Sequence, residues 1–254
     1  MKTALITGAA SGMGRITSLR LAQAGVRVAA FDVNESALED LRSQSNNIST
    51  YVCDVSSIDQ VKEKVSQARE DLGAIDRLTH AGAIMPLGKI KDLPAEEINT
   101  LMRINYEGTV NMVSQILPKM LESNSGQIIL FGSIAGTCPE RFMGAYCASK
   151  AAVNMYAEIL SKELEDTSIR VLLVCPAITN TPLMRFVNDD NSPGSLKQTM
   201  KEGKLNDPEV VIDSIEKAIK GNKLICYPTP DAVYATRIRR FFPNYWWKLV
   251  SKFN

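Results

Sequence analysis

The sequence predicts an α/β fold: a single Rossmann-like, doubly wound parallel sheet with helices on both faces. Three observations carry that expectation. Short apolar runs of strand length alternate with longer stretches of helical period from Thr3 to Tyr227. That order yields right-handed crossovers and a parallel sheet. A glycine-bearing turn, Thr7-Gly8-Ala9-Ala10-Ser11-Gly12-Met13-Gly14, stands between the first apolar run and the first helical stretch. No linker or internal repeat interrupts the series.

Each element has its own local reason. Thr3–Thr7 is a short buried strand, and Gly12–Ala24 is a helix with Ile16, Leu19 and Leu21 inward. Val26–Phe31 is the second strand, after which Asn34 caps a helix from Glu35 to Ser43. Strand Ser49–Cys53, helix Ser57–Leu72 and strand Asp76–His80 continue the alternation. Pro94 suits the first turn of a long helix reaching about Leu121. Strand Gln127–Phe131, helix Ala145–Leu164 and strand Arg170–Val174 come next. From Ile178 to Asn206 the regularity lapses, with Pro182, Pro193 and Gly194 among many polar residues. A long insertion after a core strand reads as a lid over a ligand or as a solvated excursion. Helix Pro208–Lys220 and strand Leu224–Tyr227 close the series. Residues 1–230 therefore form one α/β unit, with residues 231–254 set apart by composition.

Composition narrows the function. The chain has 254 residues, 45% hydrophobic and 22% charged, with a formal net charge of +1. Those values exclude disordered and fibrous classes, and a chain so neutral has no global field for nucleic acid. Its 5 cysteines are scattered without a C-x-x-C pair, so neither a disulfide framework nor a metal site is expected, and a reducing cytoplasm suits them. No apolar run is long enough to span a membrane, and Met1-Lys2 leads straight into a strand rather than a signal peptide.

The turn and the strand after it suggest a dinucleotide. Gly8, Gly12 and Gly14 let the backbone approach a pyrophosphate, while the amides around Ser11 and Met13 open a helix whose N-terminus favours an anion. Asp32 ends the second strand, where a carboxylate accepts hydrogen bonds from the ribose hydroxyls of NAD and repels the 2′-phosphate of NADP. Arg15 is the one nearby residue that could favour NADP, and no second cation stands beside Asp32. NAD is the expected cofactor.

Tyr146 and Lys150 are spaced i, i+4 at the start of a predicted helix and so share a face. Tyrosine ordinarily titrates near 10, and a neighbouring ammonium would lower that value toward the range where a phenol exchanges protons. Ser133 follows the fifth strand, at the sheet end where ligands bind, and could hold a substrate oxygen beside the tyrosine.

With these residues in order, the sequence resembles the short-chain dehydrogenase/reductase family to about Tyr227. The resemblance is carried by the glycine turn, Asp32, Cys53-Asp54-Val55, Asn105-Tyr106-Glu107-Gly108, Ser133 and Tyr146-Cys147-Ala148-Ser149-Lys150. It implies that Tyr146 is the general acid/base, Lys150 holds the nicotinamide ribose, Ser133 stabilises the substrate oxygen and Asn105 anchors a water in the proton relay. It also places Asp54 and Val55 near the adenine. Pro176 to Thr181 resembles the family's Pro-Gly-x-x-x-Thr segment, which adds Pro176, Thr179 and Thr181 to the nicotinamide side.

The sequence departs from the family pattern twice. The family's Asn-Asn-Ala-Gly after the fourth strand falls here on His80-Ala81-Gly82-Ala83, or one residue earlier on Thr79-His80-Ala81-Gly82. Both asparagines are gone, which removes their side-chain support of the central strand. Main-chain contacts of Ala81 and Gly82 to the adenosine ribose remain expected. His80 is the only histidine and is expected to be structural, because Tyr146 already fills the acid/base position. Ala177 replaces the glycine after Pro176.

The last segment carries Arg237, Arg239, Arg240, Lys248 and Lys252 against Asp231, interleaved with Tyr234, Phe241, Phe242, Tyr245, Trp246, Trp247 and Phe253. That mixture suits a peripheral membrane contact, a subunit interface or a closure over the active site. The expected function is an NAD-dependent interconversion of a secondary alcohol and a ketone on an apolar small molecule. Ile84, Phe142, Met143, Met184 and Phe186 are expected to line its pocket. The competing reading is an NAD-binding regulatory or structural protein with little catalysis, motivated by the altered residues at His80 to Ala83. Relatives in the family pair through their two long helices, which implies a homodimer or homotetramer.

Overall fold

The computed structural model describes residues 1–187 and 191–253. Residues 188–190 of the expected lid, and residue 254 of the tail, lie outside the described residues. Seven parallel strands form one sheet in the order β3-β2-β1-β4-β5-β6-β7. They are β1 Thr3–Thr7, β2 Arg27–Asp32, β3 Ile48–Val52, β4 Arg77–His80, β5 Gly126–Phe131, β6 Ile169–Val174 and β7 Ile225–Cys226. The helices are α1 Gly12–Gln23, α2 Glu35–Ser43, α3 Ile58–Leu72, α4 Ala95–Met102, α5 Gly108–Ser123, α6 Gly144–Glu163, α7 Gly194–Lys201, α8 Pro208–Lys220, α9 Pro230–Phe241 and α10 Pro243–Ser251.

Period-two alternation along the strands divides the core between the two faces. Leu5, Ala29, Phe31, Ile128, Leu130, Val171 and Leu173 face one layer, where Val61, Val65, Met112, Ile116, Ala157 and Leu160 bring in α3, α5 and α6. Ala4, Ile6, Val28 and Ala30 face the other side, against Leu21 and Ala22 of α1 and Leu38 and Leu41 of α2. Ile129, Phe131, Leu172 and Val174 meet α8 through Val211, Ile212 and Ile215. Each Val, Leu, Ile, Phe or Met side chain among them contributes about 1.5–3 kcal/mol by leaving water.

Two elements differ from expectation, and the tail takes a definite form. The predicted helix from Pro94 to Leu121 is two α-helices joined by a π-helical turn, Arg103–Glu107, at the Asn105 motif. The irregular segment 178–206 holds a 3-10 turn, Pro182–Phe186, and α7, because Pro193 directs the chain into a fresh helical start. The tail is a helical hairpin, since Pro230 and Pro243 each open a helix with the fixed φ that a first turn needs. The strand order reverses between β1 and β4. In a doubly wound sheet that reversal opens a crevice beyond the carboxyl ends of the strands.

Candidate active site

The floor of this crevice is the glycine turn. Gly8 and Gly12 adopt φ of 64° and 50°, a region that favours glycine. A Cβ on Gly14 would lie 2.2 Å from the Gly8 carbonyl oxygen, and one on Gly8 would lie 2.8 Å from Gly82. Both positions must stay bare for α1 and β4 to close on the turn. Ser11 begins α1 without a side-chain capping bond, so the first helical amides have no side-chain cap and are left to an anion.

Asp32 stands at the end of β2. Its Oδ2 accepts from the Ala10 amide at 3.1 Å and its Oδ1 from the Asn34 amide at 3.0 Å. The carboxylate is fixed yet keeps lone pairs for ribose hydroxyls. Arg15, the residue that could have favoured NADP, is paired with Asp40 at 2.6 Å. Bare glycines, an uncapped helix start and a held carboxylate together fit a dinucleotide. Asp54 Oδ1 accepts from the Ser56 amide and hydroxyl at 2.9 and 2.7 Å. The neighbouring Val55 carbonyl accepts from Asn111 at 2.9 Å.

One side of α6 builds the opposite wall. Tyr146, Lys150 and Asn154 follow at i, i+4, i+8 and are all buried. Lys150 donates from Nζ to the Phe131 carbonyl at 2.8 Å and lies 5.9 Å from the centre of the Tyr146 ring. Burial lowers the Lys150 ammonium to about 8. Burial also pushes the Tyr146 phenol upward, and a hydrogen bond with Ser133 partly offsets this. The expected lowering by Lys150 is not seen: burial is the largest influence on the phenol, and Lys150 is not among the groups that shift it. Tyr146 is therefore a protonated phenol over the neutral range, the form that donates to a carbonyl oxygen.

Supporting bonds set these groups in place. Asn154 donates from Nδ2 to the Ser133 carbonyl at 3.0 Å and accepts from the Ser133 amide at 3.3 Å. Gly132 permits this, because a Cβ there would lie 1.9 Å from Asn154 Oδ1. Asn154 escaped the sequence reading, although its spacing from Lys150 continues the Tyr146–Lys150 interval. Asn105 is buried and does not line the cleft. Its Nδ2 donates to the Ile84 carbonyl and to Ser149 Oγ, both at 3.0 Å, and its Oδ1 accepts from the Ile84 amide at 2.9 Å. Ser149 in turn donates to the Tyr146 carbonyl at 2.9 Å. The π-helical turn thus directs Asn105 inward as a brace between the 84 loop and the first turns of α6.

His80 takes over the support that the missing asparagine pair would give. Its Nδ1 lies 2.8 Å from Thr7 Oγ1, and Thr7 Oγ1 accepts from the Gly82 amide at 3.3 Å, so β1 and β4 are tied at their carboxyl ends. Burial, with a smaller contribution from the Lys150 charge, lowers the imidazole to about 3. His80 is neutral and structural, and its Nε2 has no partner among the described residues.

Met13, Ala81, Ser133, Tyr146, Lys150, Pro176, Thr179 and Thr181 line one cleft of about 330 Å³. Thr181 also lies 3.5 Å from where a Cβ on Gly12 would sit, so the segment after β6 reaches the glycine turn. Thr179 donates to the Ala177 carbonyl at 2.9 Å. The inner end is apolar, formed by Met85, Met143, Leu183, Met184 and Leu196 together with Trp246, Leu249 and Val250 of the tail. Met143 and Met184 are where expected. Ile84 and Phe186 pack behind the cleft without lining it. Phe142 also stays outside the lining, where its ring meets Lys89 at 5.4 Å.

Fold and cleft together define an oxidoreductase of the dinucleotide-binding α/β class. A family model for short chain dehydrogenase matches residues 2–192, and the chain belongs to the short-chain dehydrogenase family. Over 187 residues it is 35% identical to an uncharacterized oxidoreductase of Staphylococcus saprophyticus, covering 72% of this chain and 80% of that one. Over 234 residues it is 31% identical to the 2,3-dihydro-2,3-dihydroxybenzoate dehydrogenase of Bacillus subtilis, covering 87% and 89% of the two chains. Among solved structures, a short chain dehydrogenase/reductase from Burkholderia phymatum in complex with NAD has a TM-score of 0.85 and 26% identity, over 96% of this chain and 94% of that chain. Oxidoreductases of this family act on CH–OH or carbonyl groups.

Proposed function

We propose that the chain interconverts a secondary alcohol and a ketone with NAD, on an apolar substrate. The observation that carries this reading is one cleft in which Tyr146, Lys150 and Ser133 adjoin an apolar end, with Asp32 and the glycine turn nearby. The bound dinucleotide would supply the hydride for reduction and accept it in oxidation. In reduction, Tyr146 would give its phenolic proton to the substrate oxygen and recover one from solvent; in oxidation the transfer reverses. Ser133 would hold the same oxygen, fixed through Asn154, and Lys150 would present its ammonium to the ribose and to the phenolate formed. The Bacillus subtilis relative is named for dehydrogenation of a cyclic diol, which supports an alcohol carbon as the reacting centre. Asp32 and the Arg15–Asp40 pair support NAD over NADP.

The test is the rate of NADH formation with secondary alcohols of rising apolarity, with NAD and with NADP. Turnover with NAD that rises with apolarity is expected. Equal or better turnover with NADP would overturn the cofactor reading.

We also propose that the chain assembles as a homodimer or homotetramer through α5 and α6. Ala148, Ala151, Met155 and Ile159 recur at helical spacing on α6, all exposed, and such a smooth apolar stripe suits close helix pairing.

A further inference from the structure

The α9–α10 hairpin has two faces of different character. Inward, Trp246 and Val250 pack on Cys138 with Ala235 and Ile238 against them, and the Trp246 indole donates to the Pro139 carbonyl at 2.8 Å. The same helices roof the apolar end of the cleft through Ala235, Trp246, Leu249 and Val250. Outward, the bend between the helices exposes Phe241 at 66%, Phe242 at 63% and Tyr245 at 55%. Pro243 and Asn244 between them are exposed as well. Three exposed rings at the bend between the two helices form the kind of apolar patch that marks an interaction site.

The surrounding charge identifies the partner. Arg237, Arg240 and Lys248 are exposed around the rings, and among the described residues none of them enters an ion pair. The segment's acid, Asp231, is hydrogen-bonded to Asn206 at 2.9 Å. The whole chain is close to neutral at +1, so this cationic field is local. Cations outside any ion pair beside aromatic rings, with Arg240 over the Phe241 ring at 5.6 Å, complement an anionic lipid surface, the rings at headgroup depth and the cations on the phosphates. No helix among the described residues is long and apolar enough to cross a membrane, so the contact would be interfacial.

We propose that the tip of the α9–α10 hairpin docks on an anionic bilayer, so that the cleft roofed by the same hairpin draws its substrate from the lipid phase. The docking half stands on the hairpin alone; the substrate half rests on the oxidoreductase reading.

The experiment sediments the whole chain with phosphatidylcholine vesicles and with vesicles also containing phosphatidylglycerol, at low and high salt. The wild type should bind the anionic vesicles and lose binding as salt screens the cations. Phe241→Ser/Phe242→Ser/Tyr245→Ser should abolish binding with an unchanged circular dichroism melt. Arg237→Gln, Arg240→Gln and Lys248→Gln should each weaken it about fivefold. A wild type that ignores anionic vesicles, or a triple variant that binds like the wild type, overturns the proposal. So does a triple variant that only converts a sedimenting oligomer to monomer, which would make the tip a subunit contact. For the substrate half, turnover of a vesicle-dissolved secondary alcohol should fall in the triple variant while that of a water-soluble one persists; equal losses on both overturn it. Vesicle binding without turnover of any alcohol by either protein would instead fail the oxidoreductase reading and leave docking standing.

Discussion

At the scale of single residues, the cleft depends on protonation states that burial sets. Tyr146→Phe removes the proton donor while keeping the ring's packing. Turnover should fall by about two to four orders of magnitude, with NADH affinity unchanged when followed by fluorescence titration. Lys150 titrates near 8, so its ammonium is present below that pH and lost above it. The rate of ketone reduction should decline as pH rises through 8. In Lys150→Arg the descending limb should disappear, because a guanidinium keeps its charge, and stopped-flow rates across pH check this. His80 is lowered to about 3 against an ordinary 6.5. The unfolded chain therefore binds one more proton between those values, and stability should fall as pH drops through that window, by at most about 1.4 kcal/mol per pH unit. His80→Asn should flatten the slope in thermal melts taken across it. Asp32→Ser should lower the preference for NAD over NADP about tenfold to a hundredfold in kcat/KM, as charge-assisted bonds and a repulsion are lost together.

At the scale of elements, what was legible in the sequence depended on how local the cause was. The parallel strands announce themselves because each is a run of buried residues flanked by turn formers, as in Ala4-Leu5-Ile6 before Gly8. Tyr146 and Lys150 could be placed together because α-helical periodicity alone fixes their common face. The inward direction of Asn105 was not legible, since it follows from a π-helical turn that no propensity at Arg103–Glu107 signals. His80 tying β1 to β4 was equally hidden, because its partner Thr7 lies 73 positions away in sequence. The tail's composition stood out, but its place over the cleft depends on Trp246 reaching Pro139, a contact across 107 positions. Trp246→Phe should keep much of the apolar packing and lose that one hydrogen bond, worth about 1 kcal/mol. A raised KM for apolar alcohols with little change in kcat would show that the roof binds substrate without joining the chemistry.

At the scale of the whole molecule, residues from five strand ends gather at one edge of the sheet. Gly8 follows β1, Asp32 ends β2, His80 ends β4, Ser133 follows β5 and Pro176 follows β6. The parallel arrangement brings five strand ends to one edge, and the order reversal between β1 and β4 parts the helices above it. The proposed pairing surface on α6 lies on that helix's outer side, away from Tyr146 and Lys150. Met155→Glu should therefore disperse the oligomer, seen as a smaller species in analytical ultracentrifugation, while dinucleotide binding by the dissociated chain survives.

The π-helical turn also has a consequence for how this protein would tolerate changes in length. Such a turn holds one residue more than an α-helical repeat, so deleting any one of residues 103–107 would leave a smooth helix from Ala95 to Ser123. The helix after the deletion would stay nearly in phase with what precedes it, because the bulge takes up its extra residue locally, and only the side chains of the turn itself would be re-aimed. A spectroscopist would find the helix content unchanged. A crystallographer would find Asn105 phased away from Ile84, and an enzymologist a protein that folds but has lost its grip on the first turn of α6. The five-residue turn acts as a local re-aiming device within one helical rod, and a one-residue deletion there should be invisible in bulk structure and decisive for activity.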